Sequence, residues 1–544
     1  MQRRILSILL AIAIAIGIGF RFTEIDRKLY SYDEVHTSLR SAGYTTLEIA
    51  QEIFSDRFYS PKDLLKYQQL KPNSTLSDTV RSLALEDPQH PPLYYALSRY
   101  WMQFVGSDIA SMRLPAILLS LLGLPLMYGL AMELFGNSLV ALLAVAFLAL
   151  SPFDVLYSQI ARQYSLLTVM AIASSFCLLR VMRQKTLLSW GVYAVTNAIG
   201  LYTHPFFSFT IVGHGVYAFL LYLWNARDRR SSQDRSFFLK YLGSVGTTLI
   251  LYSPWIVVLV GNYQRALSGT SWTGSEISWL IVSKLWMLSF TALFLDLDVG
   301  FDNVWTYIFR LPIFGAIVAG LYLLYRRTSQ KIWLFVLTSI FVPFLMLVLP
   351  DIILGGHRSS VSRYLIPCFP AVQLAVAYLL ATNLEIREPQ SDQTPKEQVK
   401  EEVKSFRSHW FWRSALALLF TCSIASCSVS ALSNTWWSNE PSHFNAEVAD
   451  QINAMQRPLL LIDEGEGINV ADLFSVNYRL QDKVKLQLLS FARTQKPPEL
   501  SKTYSDWLVF RPSGKLRLYF QAKGQELEVL SGAGGLWRVP RTKS

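Results

Sequence analysis

Residues 5–22 read ILSILLAIAIAIGIGFRF and directly follow Arg3 and Arg4. A membrane-spanning helix needs roughly 20 mostly apolar residues, so this stretch has the length and composition of a transmembrane helix. A cleaved signal peptide is the alternative interpretation. The run ends in Gly-Phe-Arg-Phe, without the small-residue pattern of a cleavage site, which favours an uncleaved anchor that enters from the cytoplasm.

The composition of the whole chain agrees with a membrane protein. The 544 residues are 51% hydrophobic and only 16% charged, against roughly 25% charged in an average soluble domain. The net charge is +11, but Lys and Arg cluster at the ends of apolar runs, so we expect no nucleic-acid partner. Because no pair of the four cysteines has CxxC spacing, neither a disulfide framework nor a zinc site is indicated. These cysteines are Cys177, Cys368, Cys422 and Cys427.

Further apolar runs predict a bundle of about eleven transmembrane helices. A weaker run at 279–295 is predicted to be an outer-face or re-entrant helix that does not cross. With this count, the basic turns that follow the runs at 164–182, 206–225 and 306–325 all face the cytoplasm, as the positive-inside rule requires. The other crossing runs lie at 113–133, 137–152, 187–203, 238–258, 331–349, 364–382 and 413–432.

The predicted fold is therefore a polytopic α-helical membrane protein with a small α/β C-terminal domain outside the membrane. Short β-like runs near 459–462, 484–489, 507–510, 516–520 and 527–530 indicate that domain. The predicted segments are a transmembrane domain at 1–385, with an outer loop and interfacial helices at 23–112, a charged, flexible cytoplasmic linker at 386–412, a final transmembrane helix at 413–432 and the non-cytoplasmic α/β domain at 433–544.

Ionisable and aromatic side chains collect in the loops that this topology places at the outer face. Such groups at membrane depth are costly and often mark a functional site. Each also has an ordinary structural explanation, such as a helix start for Asp33 and Glu34 or an interfacial anchor for Arg162. Because five separate loops contribute on one side, we expect them to converge on one cavity. The other members are Glu86, Asp87, His90, Tyr164, His204, His357, Arg358, Arg363 and Tyr364.

Six short motifs follow one another along the first 385 residues. They are Tyr-Asp-Glu (32–34), Asp-Pro-Gln-His-Pro-Pro-Leu-Tyr-Tyr (87–95), Arg-Leu-Pro-Ala (113–116), Leu-Ser-Pro-Phe-Asp-Val-Leu-Tyr-Ser-Gln-Ile-Ala-Arg-Gln-Tyr (150–164), Leu-Tyr-Thr-His (201–204) and Ser-Arg-Tyr-Leu-Ile-Pro (362–367). Together they resemble the GT39-like, RgtA/B/C/D-like membrane glycosyltransferases, relatives of the dolichyl-phosphate-mannose protein mannosyltransferases. The resemblance covers residues 5–385 and implies a GT-C fold.

The resemblance also implies an activity. Members of this family take a sugar from a polyprenyl-phosphate donor and attach it to an acceptor outside the cytoplasm. By the resemblance Asp33 is the catalytic base, with Glu34 as an orienting neighbour, and a single displacement would invert the anomeric centre. Whether the enzyme is a hexosyl- or a pentosyltransferase stays open, as does the acceptor, which could be a lipid, a glycan or a protein.

The remaining candidates follow from the chemistry of a lipid-phosphate leaving group. Arginine stays charged and pairs with phosphate oxygens through its planar fork, so Arg162 and Arg363 are predicted to bind the phosphate. Related enzymes bind a divalent metal near acidic and histidine residues, so a metal of unknown identity is a further expectation. Tyr164, Tyr364 and His357 are predicted to assist phosphate binding, and Glu86, Asp87, His90 and His204 to hold a metal or orient substrate.

Two other classes of function stay open: a lipid-glycan transporter or flippase, and a non-catalytic scaffold whose outer domain binds a partner. Transporters often show internal repeats and broken helices near the midplane. This chain shows no clear repeat, and its polar groups lie at the ends of the runs. A scaffold would leave the polar loops unexplained. We therefore expect an enzyme in contact with membrane lipid, located in a bacterial plasma membrane and acting on its non-cytoplasmic side.

Overall fold

The computed structural model describes residues 2–225, 231–297, 299–384, 395–465 and 470–540. The chain forms two compact units, each of which is described by itself. The helical unit contains Met1–Thr23, Pro88–Leu93 and Ala116–Ala431, and the α/β unit contains Glu24–Asp87, Tyr94–Pro115 and Leu432–Ser544. The predicted basic turn at 226–230 and residues 386–394 of the predicted linker lie outside the described residues.

Helices dominate the described chain, and all the strands belong to one sheet. In chain order the helices are α1 (Gln2–Phe22), α2 (Tyr32–Ala42), α3 (Thr46–Ile53), α4 (Pro61–Leu64), α5 (Leu76–Glu86), α6 (Leu93–Phe104), α7 (Ile109–Phe135), α8 (Ser138–Leu150), α9 (Pro152–Ser158), α10 (Tyr164–Gln184), α11 (Leu187–Thr203), α12 (Phe207–Asn225), α13 (Ser231–Gly261), α14 (Tyr263–Ser268), α15 (Trp279–Thr291), α16 (Val304–Ile308), α17 (Leu311–Arg327), α18 (Gln330–Leu354), α19 (Phe369–Leu384), α20 (Pro395–Leu432), α21 (Asn445–Asn453), α22 (Val470–Asn477), α23 (Phe491–Thr494) and α24 (Gly514–Ala522). The strands are β1 (Arg57–Tyr59), β2 (Pro458–Asp463), β3 (Lys485–Leu489), β4 (Asp506–Phe510), β5 (Glu528–Ser531) and β6 (Leu536–Arg538).

The helical unit is a bundle built from long apolar helices. Among the described residues, nine helices are long and apolar enough to cross a membrane, and α8 with α9 forms a further candidate that is bent by 53°. The segment that ends in α19 is 89% buried, whereas α1 is 22% buried, so α19 lies at the centre of the bundle and α1 at its periphery. The 13-residue α15 is too short to span, as expected for the segment that was predicted not to cross.

The sheet of the α/β unit has the order β1-β3-β2-β4-β6-β5. Strand β2 is parallel to both β3 and β4, and the outer pairs are antiparallel. Four of the five predicted β-like runs fall on strands. The run at 516–520 is instead part of α24, because Leu516 and Phe520 are buried at a helical spacing and the Ser513 hydroxyl caps the helix.

Strand β1 belongs to the first loop, and it pairs with β3 of the C-terminal segment. The first loop and the C-terminal segment therefore form one unit, whereas the prediction assigned the loop at 23–112 to the transmembrane domain. The C-terminal part of this unit begins at Leu432, one residue before the predicted start at 433. A three-residue strand carries too little pattern to be recognised in a sequence. The predicted linker differs as well, because α20 begins at Pro395 and continues into the last apolar run as a single helix.

The pairing of β1 with β3 also limits the membrane topology. Both strands must lie on one side of the membrane, so the number of crossings from α7 to α20 must be even. Eight of the nine long helices lie in that interval, because only α1 precedes it. Eight is an even number, and the count stays even if both the bent pair and α11 cross as well. Helix α11 runs back along α10, since His204 at its end lies beside Tyr164 at the start of α10.

Candidate functional site

The acidic pair of the first loop lies in the first turn of α2. Ser31 caps this helix, and the Glu34 carboxylate accepts hydrogen bonds from the Ser31 backbone N–H (2.9 Å) and hydroxyl (3.1 Å). This is a capping box, which satisfies the free donors at a helix start. Asp33 is only half-buried, whereas Glu34 is fully buried. Of the two acids, Asp33 is therefore the more accessible.

Glu34 also forms a buried ion pair with Arg113, a residue of the quoted Arg-Leu-Pro-Ala motif. The Arg113 Nε donates to Oε1 at 2.7 Å and Nη2 donates to Oε2 at 2.8 Å. The same guanidinium donates to the backbone carbonyls of Ile25, Lys28 and Leu29. Such bidentate pairs fix orientation as well as charge. Both carboxylate oxygens of Glu34 are thus engaged, and the turn that carries Asp33 is held in place.

Glu86 and Asp87 are engaged by a second buried arginine. The Arg40 Nη2 lies 2.6 Å from Glu86 Oε2, and its Nε lies 2.7 Å from Asp87 Oδ2. Glu86 further accepts from the backbone N–H groups of Thr46 (2.7 Å) and Leu47 (3.1 Å). A buried guanidinium needs such compensation. These two acids therefore neutralise Arg40 and join α5 to the start of α3.

The four residues predicted to hold a metal are divided between the two units. Glu86 and Asp87 belong to the α/β unit, whereas His90 and His204 belong to the helical unit. No group of three or more His, Cys, Asp or Glu side chains that could hold a metal ion occurs in the part of the chain that the structure describes. The metal therefore stays an expectation, and the proposed mechanism includes no step through one.

In the helical unit, His90 lies between the side chains of two consecutive residues that follow α9. The Arg162 Nη2 is 3.3 Å from His90 Nε2, and the Gln163 side-chain amide is 3.2 Å from His90 Nδ1. The Arg162 guanidinium can only donate, and which His90 nitrogen carries a proton depends on the tautomer of the ring. His90 and Gln163 together orient Arg162.

His204 lies at the end of α11, next to this group. Its ring centroid is 6.5 Å from that of His90 and 6.0 Å from that of Tyr164. The backbone N–H of Phe206 donates to its Nδ1 at 3.1 Å, so the neutral ring carries its proton on Nε2. Burial, followed by the positive potential of His90, Arg162 and Arg363, holds the pKa of His204 well below its usual 6.5. His204 is therefore a neutral donor within a positive environment.

Arg363 and Tyr364 join the same group through aromatic contacts. The Arg363 guanidinium lies 5.5 Å from the Trp272 ring centroid and 5.8 Å from that of Tyr364. Tyr364 packs against Phe206 at 4.4 Å, and Phe206 in turn lies 5.1 Å from His204. We call His90, Arg162, Gln163, His204 and Arg363 the cationic cluster. It lies where α10 starts, α11 ends and the segment leading to α19 begins.

The neighbouring His357 and Arg358 have structural partners. The Arg358 Nη1 is 3.1 Å from Oδ1 of the buried Asp351, and the backbone N–H groups of Arg358 and Ser359 also donate to this carboxylate. His357 Nδ1 lies 2.8 Å from the Ser275 carbonyl oxygen, so the ring donates there. Its ring packs at 5.8 Å from Trp272. His357 therefore supports the edge of the cationic cluster, whereas the charge of Arg358 is balanced by Asp351.

The structure therefore divides the predicted residues into two sets. His90, Arg162, Tyr164, His204, Arg363 and Tyr364 are brought together in the helical unit, while the four predicted acids lie in the α/β unit. The sequence reasoning missed Gln163, Arg113, Arg40 and Trp272. Gln163 and Arg113 were visible inside the quoted motifs. Arg40 and Trp272 carry no motif, and only tertiary contacts reveal their roles.

Comparisons with known proteins support the assignment of the fold. The family model for dolichyl-phosphate-mannose-protein mannosyltransferase matches residues 89–258, which include His90, Arg162 and His204. The crystal structure of ArnT from Cupriavidus metallidurans bound to undecaprenyl phosphate is similar over 98% of both chains, with 14% identity and a TM-score of 0.53. This chain has the GT-C fold. The GT-C likeness extends over almost the whole length, including the segments that the family model leaves out.

Other GT-C structures are similar over smaller shares of their own length. The oligosaccharyltransferase of Archaeoglobus fulgidus, crystallised with Zn and sulfate, is 13% identical, with a TM-score of 0.43 over 89% of this chain and 62% of that one. The arabinosyltransferase EmbB from Mycobacterium smegmatis is 10% identical, with a TM-score of 0.39 over 81% of this chain and 42% of that one. No curated protein sequence gives a significant match.

Proposed function

We propose that this protein transfers a sugar from a polyprenyl-phosphate donor to an acceptor on the non-cytoplasmic side of a bacterial plasma membrane. The observation that carries the proposal is the cationic cluster, which joins two arginines and two histidines from four separate loops at one end of the bundle. The GT-C fold supports it, and so does the undecaprenyl phosphate bound to the Cupriavidus ArnT.

The cationic cluster suits the phosphate of such a donor. When the sugar leaves, negative charge grows on the phosphate oxygens, and fixed donors stabilise that charge without reorganisation. Arg162 supplies a permanent charge in an orientation set by His90 and Gln163. Arg363 supplies a second charge beside the Trp272 ring, and His204 adds a neutral Nε2–H donor. Polyprenyl phosphate is the leaving group, so no acid is needed to protonate it.

Asp33 is proposed as the base for the acceptor. Its carboxylate takes the proton from the acceptor hydroxyl while the hydroxyl oxygen forms a bond to the anomeric carbon. The bond from that carbon to the phosphate oxygen breaks, so the configuration inverts and polyprenyl phosphate leaves. Glu34 is less suited to this role, because Arg113 and Ser31 occupy both its oxygens. The transferred sugar is a hexose or a pentose, and the acceptor is a lipid, a glycan or a protein.

The proposal predicts that Asp33→Asn abolishes transfer. The amide cannot accept the acceptor proton, and general-base catalysis contributes about 10²–10⁴-fold in rate. The measurement is transfer of labelled sugar from polyprenyl-phosphate donors in a membrane preparation. Asp78→Asn is a matched control, because Asp78 also lies in the first turn of a helix, α5, where it caps the helix start. Full activity of Asp33→Asn would remove Asp33 from the mechanism.

The same assay tests the role of the cationic cluster. Arg162→Ala is expected to raise the donor KM by about tenfold or more, since a charge-assisted hydrogen bond contributes about 1.5–3 kcal/mol. Arg162→Lys keeps the charge but loses the fork, so it should restore donor binding only in part. A donor dependence that is unchanged in Arg162→Ala would contradict phosphate binding by this residue. The same assay with diphosphate-linked lipid donors distinguishes this reaction from that of a lipid-linked-glycan ligase. Transfer from the monophosphate-linked donor supports the proposed function.

A further inference from the structure

The bent pair α8 and α9 leaves two backbone carbonyls without their helical donors. Helix α8 ends at Leu150, and α9 begins at Pro152. Proline has no N–H, so the carbonyl of Leu148 loses the donor that a continuous helix would provide. The N–H of Phe153 donates to the carbonyl of Ala292 at 3.2 Å, so Ala149 loses its donor as well. Inside a membrane bundle, such carbonyls must be satisfied by other groups.

The side chain of Arg21 satisfies both carbonyls. Arg21 lies in the last turn of α1 and is 1% exposed. Its Nη2 donates to the Leu148 carbonyl at 3.0 Å and its Nη1 donates to the Ala149 carbonyl, while its Nε donates to the Ser120 hydroxyl at 3.1 Å. Asp154 lines the same small cavity as Arg21.

The contact is reciprocal, because a residue after α9 caps α1 in return. The Gln159 Nε2 donates to the carbonyl of Phe20 (2.9 Å), in the last turn of α1, and to that of Thr23 (2.8 Å), the residue that follows the helix. The last carbonyls of a helix have no donor four residues further along the same helix. Gln159 is buried and starts the turn that contains Arg162. The end of α1 and the turn before α10 therefore hold each other in place.

We propose that Arg21 is a positioning residue that fixes the turn at 159–163, and through it Arg162, in the cationic cluster. The Arg21 guanidinium contacts the break, and the Arg21 backbone carbonyl accepts from the Gln159 side chain at 3.4 Å. The inference rests on the proposed function for its effect on donor binding, but its effect on the turn is independent of that function. It gives α1 a role in the donor site in addition to that of a membrane anchor.

The test compares Arg21→Ala and Arg21→Lys with the wild-type protein. The first readout is backbone hydrogen exchange of residues 158–165, with residues 362–369 as an internal reference. The second is binding of undecaprenyl phosphate. Both variants should exchange faster at 158–165 but not at 362–369, and should bind undecaprenyl phosphate about tenfold to a hundredfold more weakly, as expected for a misplaced ligand group. Lysine should fail because one ammonium cannot reproduce the fork.

Three further variants make the outcome decisive. Arg27→Ala is the matched control, since the Arg27 side chain forms an exposed ion pair with Glu24, and it should behave like the wild type. Pro152→Ala restores an N–H near the Leu148 carbonyl, so Arg21→Ala should have a smaller effect in that background. If Arg21→Ala does not fold, Gln159→Ala can replace it in the test. This variant removes the hydrogen bonds from Gln159 to the end of α1 and should also exchange faster at 158–165.

Two results would overturn the inference. One is unchanged exchange at 158–165 in the variants, and the other is faster exchange that is equal at 158–165 and 362–369, which would indicate a general loss of stability. Failure of the wild-type protein to bind undecaprenyl phosphate would count against the proposed function instead. In that case the exchange data would still decide whether Arg21 fixes the turn.

Discussion

At the scale of single residues, the protein separates acids that neutralise buried arginines from an acid that remains accessible. Glu34 pairs with Arg113, and both side chains are buried. Breaking such a pair leaves an uncompensated charge and costs about 3–5 kcal/mol. Asp33, one position earlier, is half-buried. The neighbouring acids thus have different environments, which is why we assign proton transfer to Asp33 and orientation of the turn to Glu34.

The low pKa of His204 predicts how stability depends on pH. Burial and nearby positive groups keep the folded-state pKa below the value of 6.5 expected for an unfolded chain. As the pH falls through about 6.5, the unfolded chain gains a proton that the folded protein does not, so the free energy of unfolding decreases. His204→Gln should therefore lose less stability between about pH 7.5 and about pH 5.5 than the wild type.

Thermal unfolding in detergent at the two pH values measures this difference. His443→Gln is a control for the loss of an imidazole, because His443 lies in the α/β unit and interacts with the Trp436 carbonyl. An equal loss of stability on acidification in the wild type and in His204→Gln would show that His204 is not held neutral by its surroundings.

At the scale of elements, close helix packing is made possible by single glycines. A Cβ on Gly17 of α1 would lie 2.3 Å from the Ala149 carbonyl oxygen, and one on Gly320 of α17 would lie 2.6 Å from the Ala375 carbonyl oxygen. Small residues allow backbones to approach in membrane bundles. At Gly17 this approach also brings α1 to the break between α8 and α9.

Two glycines of α1, Gly17 and Gly19, allow the effect of close helix packing to be tested against a matched control. Gly17→Ala should destabilise the protein, because the added methyl group meets backbone that cannot move away cheaply. Gly19→Ala meets nothing within 4 Å and should be neutral or stabilising by up to about 1 kcal/mol, the difference in helix propensity. The midpoint of thermal unfolding in detergent distinguishes the two variants. Equal midpoints would show that α1 does not pack closely at Gly17.

How far the elements could be predicted depended on the length of each pattern. Long apolar runs located the crossing helices, because hydrophobicity over a span is a strong signal. Short segments were ambiguous: the run at 516–520 has apolar residues that fit either a strand or a helix, and the Ser513 cap decided for a helix. The three residues of β1 have no pattern of their own, and they became a strand only by pairing with β3.

At the scale of the whole molecule, the helical unit brings together polar loops that are far apart in sequence. Arg162, His204 and Tyr364 come from distant parts of the chain, and membrane topology alone suggested that they would meet. The Pro152 break was a readable signal, whereas the capping of its carbonyls by Arg21 was not, because α1 and α8 are far apart in sequence. The partnership of the first loop with the C-terminal segment was likewise invisible, since it depends on tertiary strand pairing.

The proposed mechanism requires that Asp33 of the first loop and the cationic cluster act in one reaction on the non-cytoplasmic side. The test introduces single cysteines into a variant that lacks the four native cysteines. Intact cells are then treated with a thiol reagent that cannot cross the membrane. Suitable positions are Leu47 in the α/β unit, which is 63% exposed, Tyr263 at the start of α14, which is 62% exposed, and Leu187 at the start of α11, which is 88% exposed. We predict labelling at 47 and 263 in intact cells, and at 187 only after permeabilisation. Labelling of 47 and 263 from opposite sides of the membrane would contradict the account.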